Sequence, residues 1–264
     1  MQQMSSAITL VAMLGAAPAA MASPPACGID VVFEGCTEYV GIGLVSMEQA
    51  RSHVPSAYTV VEAAGGALLV VRVSACEAVS VDGKRPKAGK VAQVGISVTG
   101  PDDSADINNY TLFYVTDSEQ LKGALTAAGV SAVLASGLSY EFDALGGDFD
   151  SLVDTPQVPR VALSGSAVPP GEEEETRFVA SWWTEGKRGP VRMRTVFPRI
   201  IFSDATVTLT TSAGSVLEDL VGSQPFEFVV LDSYNAFDIA TMEVTGTHPS
   251  GSGAKGGAKK TACE

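Results

Sequence analysis

One side chain is chemically out of place in its surroundings. Arg72 lies within Ala67-Leu68-Leu69-Val70-Val71-Arg72-Val73, a run otherwise apolar on both faces. A lone buried guanidinium is costly unless it is paired or faces a wet cavity. Its planar fork of donors matches a carboxylate or carbonyl, so one reading is an anion anchor inside a cavity. The competing reading is a structural ion pair with Glu62 or Glu77, or an outward-facing residue. Gln93, in the next strand, can orient a ligand or satisfy a backbone group. Tyr110 and Tyr114 fall on one strand face by the period of two, with Leu112 between them. They read as a cavity wall or as ordinary core. Trp182 and Trp183 are adjacent and so point to opposite faces, one lining an interior and the other a surface. Arg192 and Arg194 share a face of the partner strand. They suit a ligand, or pair with Glu185 or the Glu172–Glu175 run.

Other chemistries are disfavoured. Two histidines occur, His53 and His248, and the second lies near the end of the chain. A Ser-His-Asp triad would have to use His53. No C-x-x-C spacing exists, which disfavours zinc and thioredoxin-like sites. The Glu172–Glu175 run lacks the alternating spacing of a calcium loop. Neither a metal nor a cofactor is implied. A net charge of −13 disfavours nucleic acid, whose phosphates need clustered Lys and Arg. Lys84, Arg85, Lys87 and Lys90 make only a local basic loop. Asn109-Tyr110-Thr111 fits the glycosylation pattern but sits in a predicted strand.

The elements that must position these residues are mostly strands. Strands are predicted over Glu38–Val45, Tyr58–Ala63, Ala67–Val73, Lys90–Thr99 and Tyr110–Val115, with residues 23–37 a lead-in and 79–89 a loop. Residues 131–165 read as strands broken by Gly and Pro. Arg177–Thr184 and Val191–Phe197 flank a tight turn and form a hairpin. Ile200–Thr211 and Phe226–Val244 complete the set. Three short helices begin at Ser46, at Thr116-Asp117-Ser118-Glu119 and at Ser215, each capped in the same style, and stop at Pro55, Gly129 and Gly222. No βαβ alternation and no repeat period appear, which disfavours doubly wound sheets, propellers and solenoids.

The termini carry separate signals. Ile8–Ala20 is small and apolar and precedes Ala20-Met21-Ala22, so residues 1–22 read as a secretory signal, without the usual basic start. The run is too short to span a bilayer comfortably. Residues 23–245 form one domain, and 246–264 a disordered basic Gly/Lys tail. Cys27, Cys36, Cys76 and Cys263 suit two disulfides in an oxidising compartment. Cys36 begins one strand and Cys76 ends another. If those strands are antiparallel neighbours, the sulfurs meet. A Cys27–Cys36 loop is the alternative.

The order of elements in residues 36–130 resembles the acetoacetate decarboxylase-like barrel family. Glu38-Tyr39-Val40-Gly41-Ile42-Gly43-Leu44 leads to a helix ending in Val54-Pro55. The apolar strand around Arg72 follows, then Gly89-Lys90-Val91-Ala92-Gln93-Val94-Gly95-Ile96-Ser97-Val98. Tyr110-Thr111-Leu112-Phe113-Tyr114-Val115-Thr116-Asp117 then enters the second helix. The resemblance covers most of residues 36–245 and implies a β-rich antiparallel barrel with about three short helices. It also implies that Arg72 faces the interior. The family's decarboxylases form a Schiff base through a lysine after the second helix. Here that stretch is Ala127-Ala128-Gly129-Val130-Ser131-Ala132-Val133-Leu134, without a lysine. The family's two supporting glutamates align with Arg72 and Gln93, and its supporting arginine falls near Thr37. The expectation is an exported protein of this fold that binds a small, partly apolar or carboxylate-bearing molecule in its cavity without Schiff-base chemistry. The alternatives are a lyase-like enzyme of altered chemistry, or a surface structural protein. The first alternative needs an inward acid or base, and the sequence reading finds none.

Overall fold

A computed structural model describes residues 28–102, 104–171 and 176–246. In chain order the elements are β1 (Gly28–Val45), α1 (Met47–His53), β2 (Thr59–Val60), β3 (Glu62–Ala63), β4 (Gly66–Val81), β5 (Lys87–Thr99) and β6 (Ile107–Thr116). There follow α2 (Glu119–Ala127), β7 (Ala132–Leu134), β8 (Ser139–Phe142), β9 (Asp148–Val153), β10 (Val161–Ala167), β11 (Thr176–Gly186) and β12 (Gly189–Thr211). The chain closes with α3 (Val216–Val221), β13 (Phe226–Glu227) and β14 (Leu231–Gly246). The signal segment, Cys27, Cys263, His248, the Glu172–Glu175 run and the tail after Gly246 lie outside the described residues.

The sheet closes on itself. Its order runs β11-β6-β5-β4-β1-β14-β12, and β12 pairs again with β11. The pairing is antiparallel except where β6 meets β11 and the short strand β7, both parallel to it. Closure removes the exposed edges an open sheet would carry. The far half of β12 leaves the barrel and pairs with β10, which continues through β9 to β8. This second sheet covers part of the barrel's outer surface.

Two apolar cores result. The inner one draws on every barrel strand, with Val31 and Phe33 of β1, Val70 of β4, Val91 of β5, Tyr114 of β6, Trp182 of β11, Met193 and Phe197 of β12, and Phe237 and Met242 of β14. Helix α2 adds Leu121 and Leu125 to it. The outer core joins Tyr39, Leu69, Val71, Val94 and Trp183 to Phe149, Leu163 and Leu209 of the second sheet. Helices α1 and α3 contribute Ala50, Leu217 and Leu220 to that outer core. Strands buried on both faces lose polar/apolar alternation, which explains the continuous apolar run around Arg72.

The three helices stand where their caps place them. Ser118 Oγ accepts from Leu121 N at 3.2 Å, and Ser215 Oγ from Glu218 N at 3.1 Å. Several strands are longer than predicted. β1 starts at Gly28 rather than Glu38, and β4 and β5 leave only residues 82–86 between them. Polar, Gly-bearing stretches that read as lead-in and loop are strand here because a closed barrel supplies neighbours on both sides. Gly35, with φ +57°, sits where the inner face of β1 changes from Val31 and Phe33 to Cys36 and Glu38. Its left-handed backbone is unfavourable for any residue with a Cβ. Tyr58–Ala63 yields only the two short strands β2 and β3.

Candidate functional site

Cys36 and Cys76 face each other across β1 and β4 and form a disulfide, with Cα atoms 4.1 Å apart. The same register sets Glu38 opposite Ser74 and Val40 opposite Arg72. Arg72 lies opposite Gln93 on β5, and Gln93 opposite Tyr114 on β6. One rung of the barrel therefore carries Val40, Arg72, Gln93 and Tyr114 in series.

Arg72 points inward. Its guanidinium carbon lies 6.0 Å from the ring centroid of Phe197. Phe197 is on β12, three strands away in the sheet order, so the contact crosses the barrel. Its partner is Glu38: Arg72 Nη2 donates to Glu38 Oε2 in a buried ion pair. Glu62 and Glu77, the partners considered from sequence, are exposed. They cannot serve, because the closed barrel separates its interior from both. Among the described residues, Glu38 and Arg72 are the only buried charged side chains.

Burial pushes the Glu38 carboxyl above its ordinary range, and the Arg72 guanidinium beside it offsets that only in part. Burial also raises the Tyr114 phenol, with Arg72 pulling weakly the other way. Burial is the main cause that raises the Tyr140 phenol, in the outer core, and the Glu38 charge adds to it. Asn235 of β14 lies opposite Glu38, fully buried. Its Oδ1 accepts from Ser233 Oγ at 2.5 Å, while its Nδ2 has no partner. Arg72 Nε also has none. Two donors thus stand unpaired around one carboxylate, an arrangement that normally calls for an acceptor. Gln93 donates to Thr111 Oγ1 at 3.2 Å, which fixes it beside Arg72.

The remaining sequence candidates divide. Trp182 is inside, packed over Gly95; a Cβ there would lie 2.8 Å from Trp182 Cζ3 and 2.3 Å from the Tyr110 carbonyl oxygen. Tyr110 is not on the face of Tyr114. The register between β5 and β6 shifts between Val94 and Gly95, with Phe113 opposite Val94 and Thr111 opposite Gly95. Leu112 is the extra residue of a bulge, and one extra residue reverses the facing of everything beyond it. Tyr110 consequently packs on Tyr58 outside the barrel, ring centroids 5.0 Å apart. Arg192 is also outside. It lies 5.7 Å from the Trp183 ring and pairs with Asp102 at 2.5 Å. Arg194 pairs with Asp106 at 2.7 Å. Asp102 and Asp106, on the segment before β6, are thus the partners in place of Glu185, while the Glu172–Glu175 run lies outside the described residues. Burial raises both carboxyls, but the hydrogen bonds from Ser104 and Arg192 to Asp102, and from Arg194 and Ser181 to Asp106, outweigh it and hold them low.

Two concavities of about 370 and 440 Å³ lie elsewhere, one against Glu141, Asp150 and Arg160, the other against Asp30, Arg194 and Glu243. Neither is lined by Glu38 or Arg72. No described helix is long and apolar enough to cross a membrane. The segment where the resemblance places a lysine enters the barrel through β7, with Val130 and Ala132 buried in the inner core. Among the described residues, every lysine is exposed or half-buried.

No family profile matches the sequence, and neither does any curated protein. Solved structures do match. The enduracididine biosynthesis enzyme MppR complexed with pyruvate is 13% identical, with TM-score 0.53 over 86% of this chain and 91% of that one. An acetoacetate decarboxylase is 12% identical, with TM-score 0.50 over 81% and 86%. An acetoacetate decarboxylase-like enzyme from Sphingomonas wittichii RW1 is 11% identical, with TM-score 0.50 over 89% and 97%. The chain has the acetoacetate decarboxylase-like fold.

Proposed function

We propose that this protein is exported and that its barrel interior binds a small, partly apolar, carboxylate-bearing molecule at Arg72, without Schiff-base chemistry. The observation that carries the reading is the inward Arg72–Glu38 pair with its unpaired neighbours, Arg72 Nε and Asn235 Nδ2. A barrel built only for stability has little use for it, since apolar residues fill such space at no electrostatic cost. Trp182, Phe197 and Val70 around the pair supply the apolar wall, and polar groups among apolar walls are the usual make-up of a small-molecule site. MppR holds pyruvate, a small carboxylate, on the same fold. The absence of Schiff-base chemistry is supported by the lack of any buried lysine among the described residues. Export is supported by the N-terminal signal pattern and the Cys36–Cys76 disulfide.

The test is a thermal-shift and calorimetric screen of short aliphatic and oxo carboxylates against their neutral amides. Carboxylates should bind and the amides should not, with binding lost in Arg72→Met. Equal binding of acids and amides would refute the anchor.

A second reading has its own observation. A buried carboxyl raised above its ordinary range is a plausible general acid or base, so Glu38 meets the requirement of a lyase-like enzyme. Turnover of an oxo acid that is lost in Glu38→Gln, while binding persists, would favour it. A surface structural protein would present an exposed apolar patch, for which a tryptophan is the natural centre. Trp182 and Trp183 are both buried.

A further inference from the structure

Resting on the proposed site, we infer that an incoming carboxylate takes the place of Glu38 on Arg72, and that Glu38 leaves the pair by accepting a proton. The geometry leads there. Without a ligand, Glu38 Oε2 occupies the Nη2 side of the guanidinium, so the anchor already holds an anion. An incoming carboxylate that needs the same Nη2 donor must therefore displace Glu38 from it. The inner core mixes apolar residues with neutral polar ones such as Thr111, Thr195 and Asn235, and its charge is balanced, with one guanidinium and one carboxylate. A second carboxylate would leave one uncompensated negative charge there, which costs several kcal/mol in such surroundings. Protonation restores the balance. Ligand carboxylate, one proton and the Glu38–Arg72 pair become a ligand–Arg72 pair and a neutral Glu38 carboxylic acid. No bond other than the O–H forms. Nothing is oxidised or reduced.

The neighbours suit both states. Once protonated and displaced, Glu38 lies beside Asn235, and the unpaired Nδ2 of that residue can donate to its carbonyl oxygen. Arg72 Nε shares an edge of the guanidinium with Nη2, so once Glu38 leaves, that edge is open to a bidentate carboxylate. The titratable groups facing the pair are the Tyr114 phenol from β6 and the Tyr140 phenol from β8. Burial raises both, so both stay neutral below pH 9. β14 presents Asn235 and Ser233, β12 presents Phe197, and β5 presents Gln93, none of which titrates in this range. Glu38 is therefore the group that takes the proton. Its carboxyl is predisposed to do so, because burial has already moved it upward.

Isothermal calorimetry of the whole mature protein, with pyruvate and butyrate as probes, tests this in two buffers of different ionisation enthalpy between pH 5 and 8. Where Glu38 is ionised without ligand, about one proton should be taken up per carboxylate bound. Affinity should there fall about tenfold per pH unit as pH rises, and level off toward acid where Glu38 is already neutral. Glu38→Gln should bind with no proton uptake and little pH dependence. The wild-type measurement stands alone if that variant does not fold. Binding without proton uptake, at constant affinity across the range, overturns the exchange and leaves the binding reading intact. Failure of every probe carboxylate to bind overturns both.

Discussion

Replacing Arg72 with methionine exposes the energetics of the interior pair. Both members are buried, with side chains 11% and 4% exposed. Removing one partner of such a pair costs about 3–5 kcal/mol, because the other charge is left uncompensated. The cost has a pH signature. Without Arg72, Glu38 keeps the desolvation that raises its pKa and loses the attraction that opposes it. Its folded pKa then lies well above the unfolded value of 4.5. Between those two values the folded chain holds a proton that the unfolded chain releases, so stability falls as pH rises. The slope is about 1.4 kcal/mol per pH unit. The variant should be close to wild type near pH 5, apart from packing, and should reach the full loss of about 3–5 kcal/mol by pH 7–8.

Urea unfolding followed by the fluorescence of the buried Trp182 and Trp183 measures this, with the disulfide intact. The double variant Glu38→Leu/Arg72→Met closes the cycle. It removes both charges and should be pH-independent here, and within about 1–4 kcal/mol of wild type, on the more stable side if the apolar pair packs. A single-variant loss below about 1 kcal/mol at pH 8, or the same loss at pH 5 and pH 8, would refute a desolvated pair inside the barrel.

Reduction of Cys36–Cys76, or the paired Ser substitutions, should cost about 4 kcal/mol by the loop-closure estimate for a separation of 40 residues; urea midpoints with and without reductant read it. Gly95→Ala should cost at least about 1–3 kcal/mol, since its Cβ meets the Tyr110 carbonyl and Trp182, and the lost near-ultraviolet dichroism of Trp182 should report the displacement. Arg192→Ala should cost less than about 1 kcal/mol, because the Asp102 pair is partly exposed, and should leave carboxylate binding unchanged in calorimetry. Borohydride treatment with acetoacetate should give no covalent adduct by mass spectrometry; an adduct would show that a lysine forms an imine here.

Much of the architecture was legible because it rests on local rules. Each of the three helices has a serine whose hydroxyl caps it; the first and third are capped by the serines read from the sequence, and the second by Ser118 within the Thr116–Glu119 stretch. The opposite facing of Trp182 and Trp183 follows from strand pleat and holds. What was hidden depends on neighbours. The Tyr110–Tyr114 pairing failed on a single bulge at Leu112, which only the register with β5 reveals. Placing Arg192 and Arg194 inside or outside required knowing that Asp102 and Asp106 pack against β12, and those partners are 90 and 88 positions away from them respectively.

Glu38 is the instructive omission, because the means of finding it were already in the sequence. Pairing Cys36 with Cys76 across antiparallel strands fixes more than a disulfide. It fixes the register, in which positions at even offsets from the two cysteines share the sulfurs' face. Glu38 stands two residues after Cys36, and Arg72 four before Cys76. Both offsets are even, so a carboxylate and a guanidinium necessarily fall on one face, one step apart on the diagonal. The diagonal spacing in a sheet is well within reach of an arginine. The resemblance points the same way. It aligns an arginine near Thr37 on the first strand and a glutamate at Arg72 on the fourth. In this chain the pair between those two strands is Glu38 of β1 with Arg72 of β4. Under the exchange we propose, Arg72 of β4 holds the ligand by its charge and Glu38 of β1 takes up the proton that balances it.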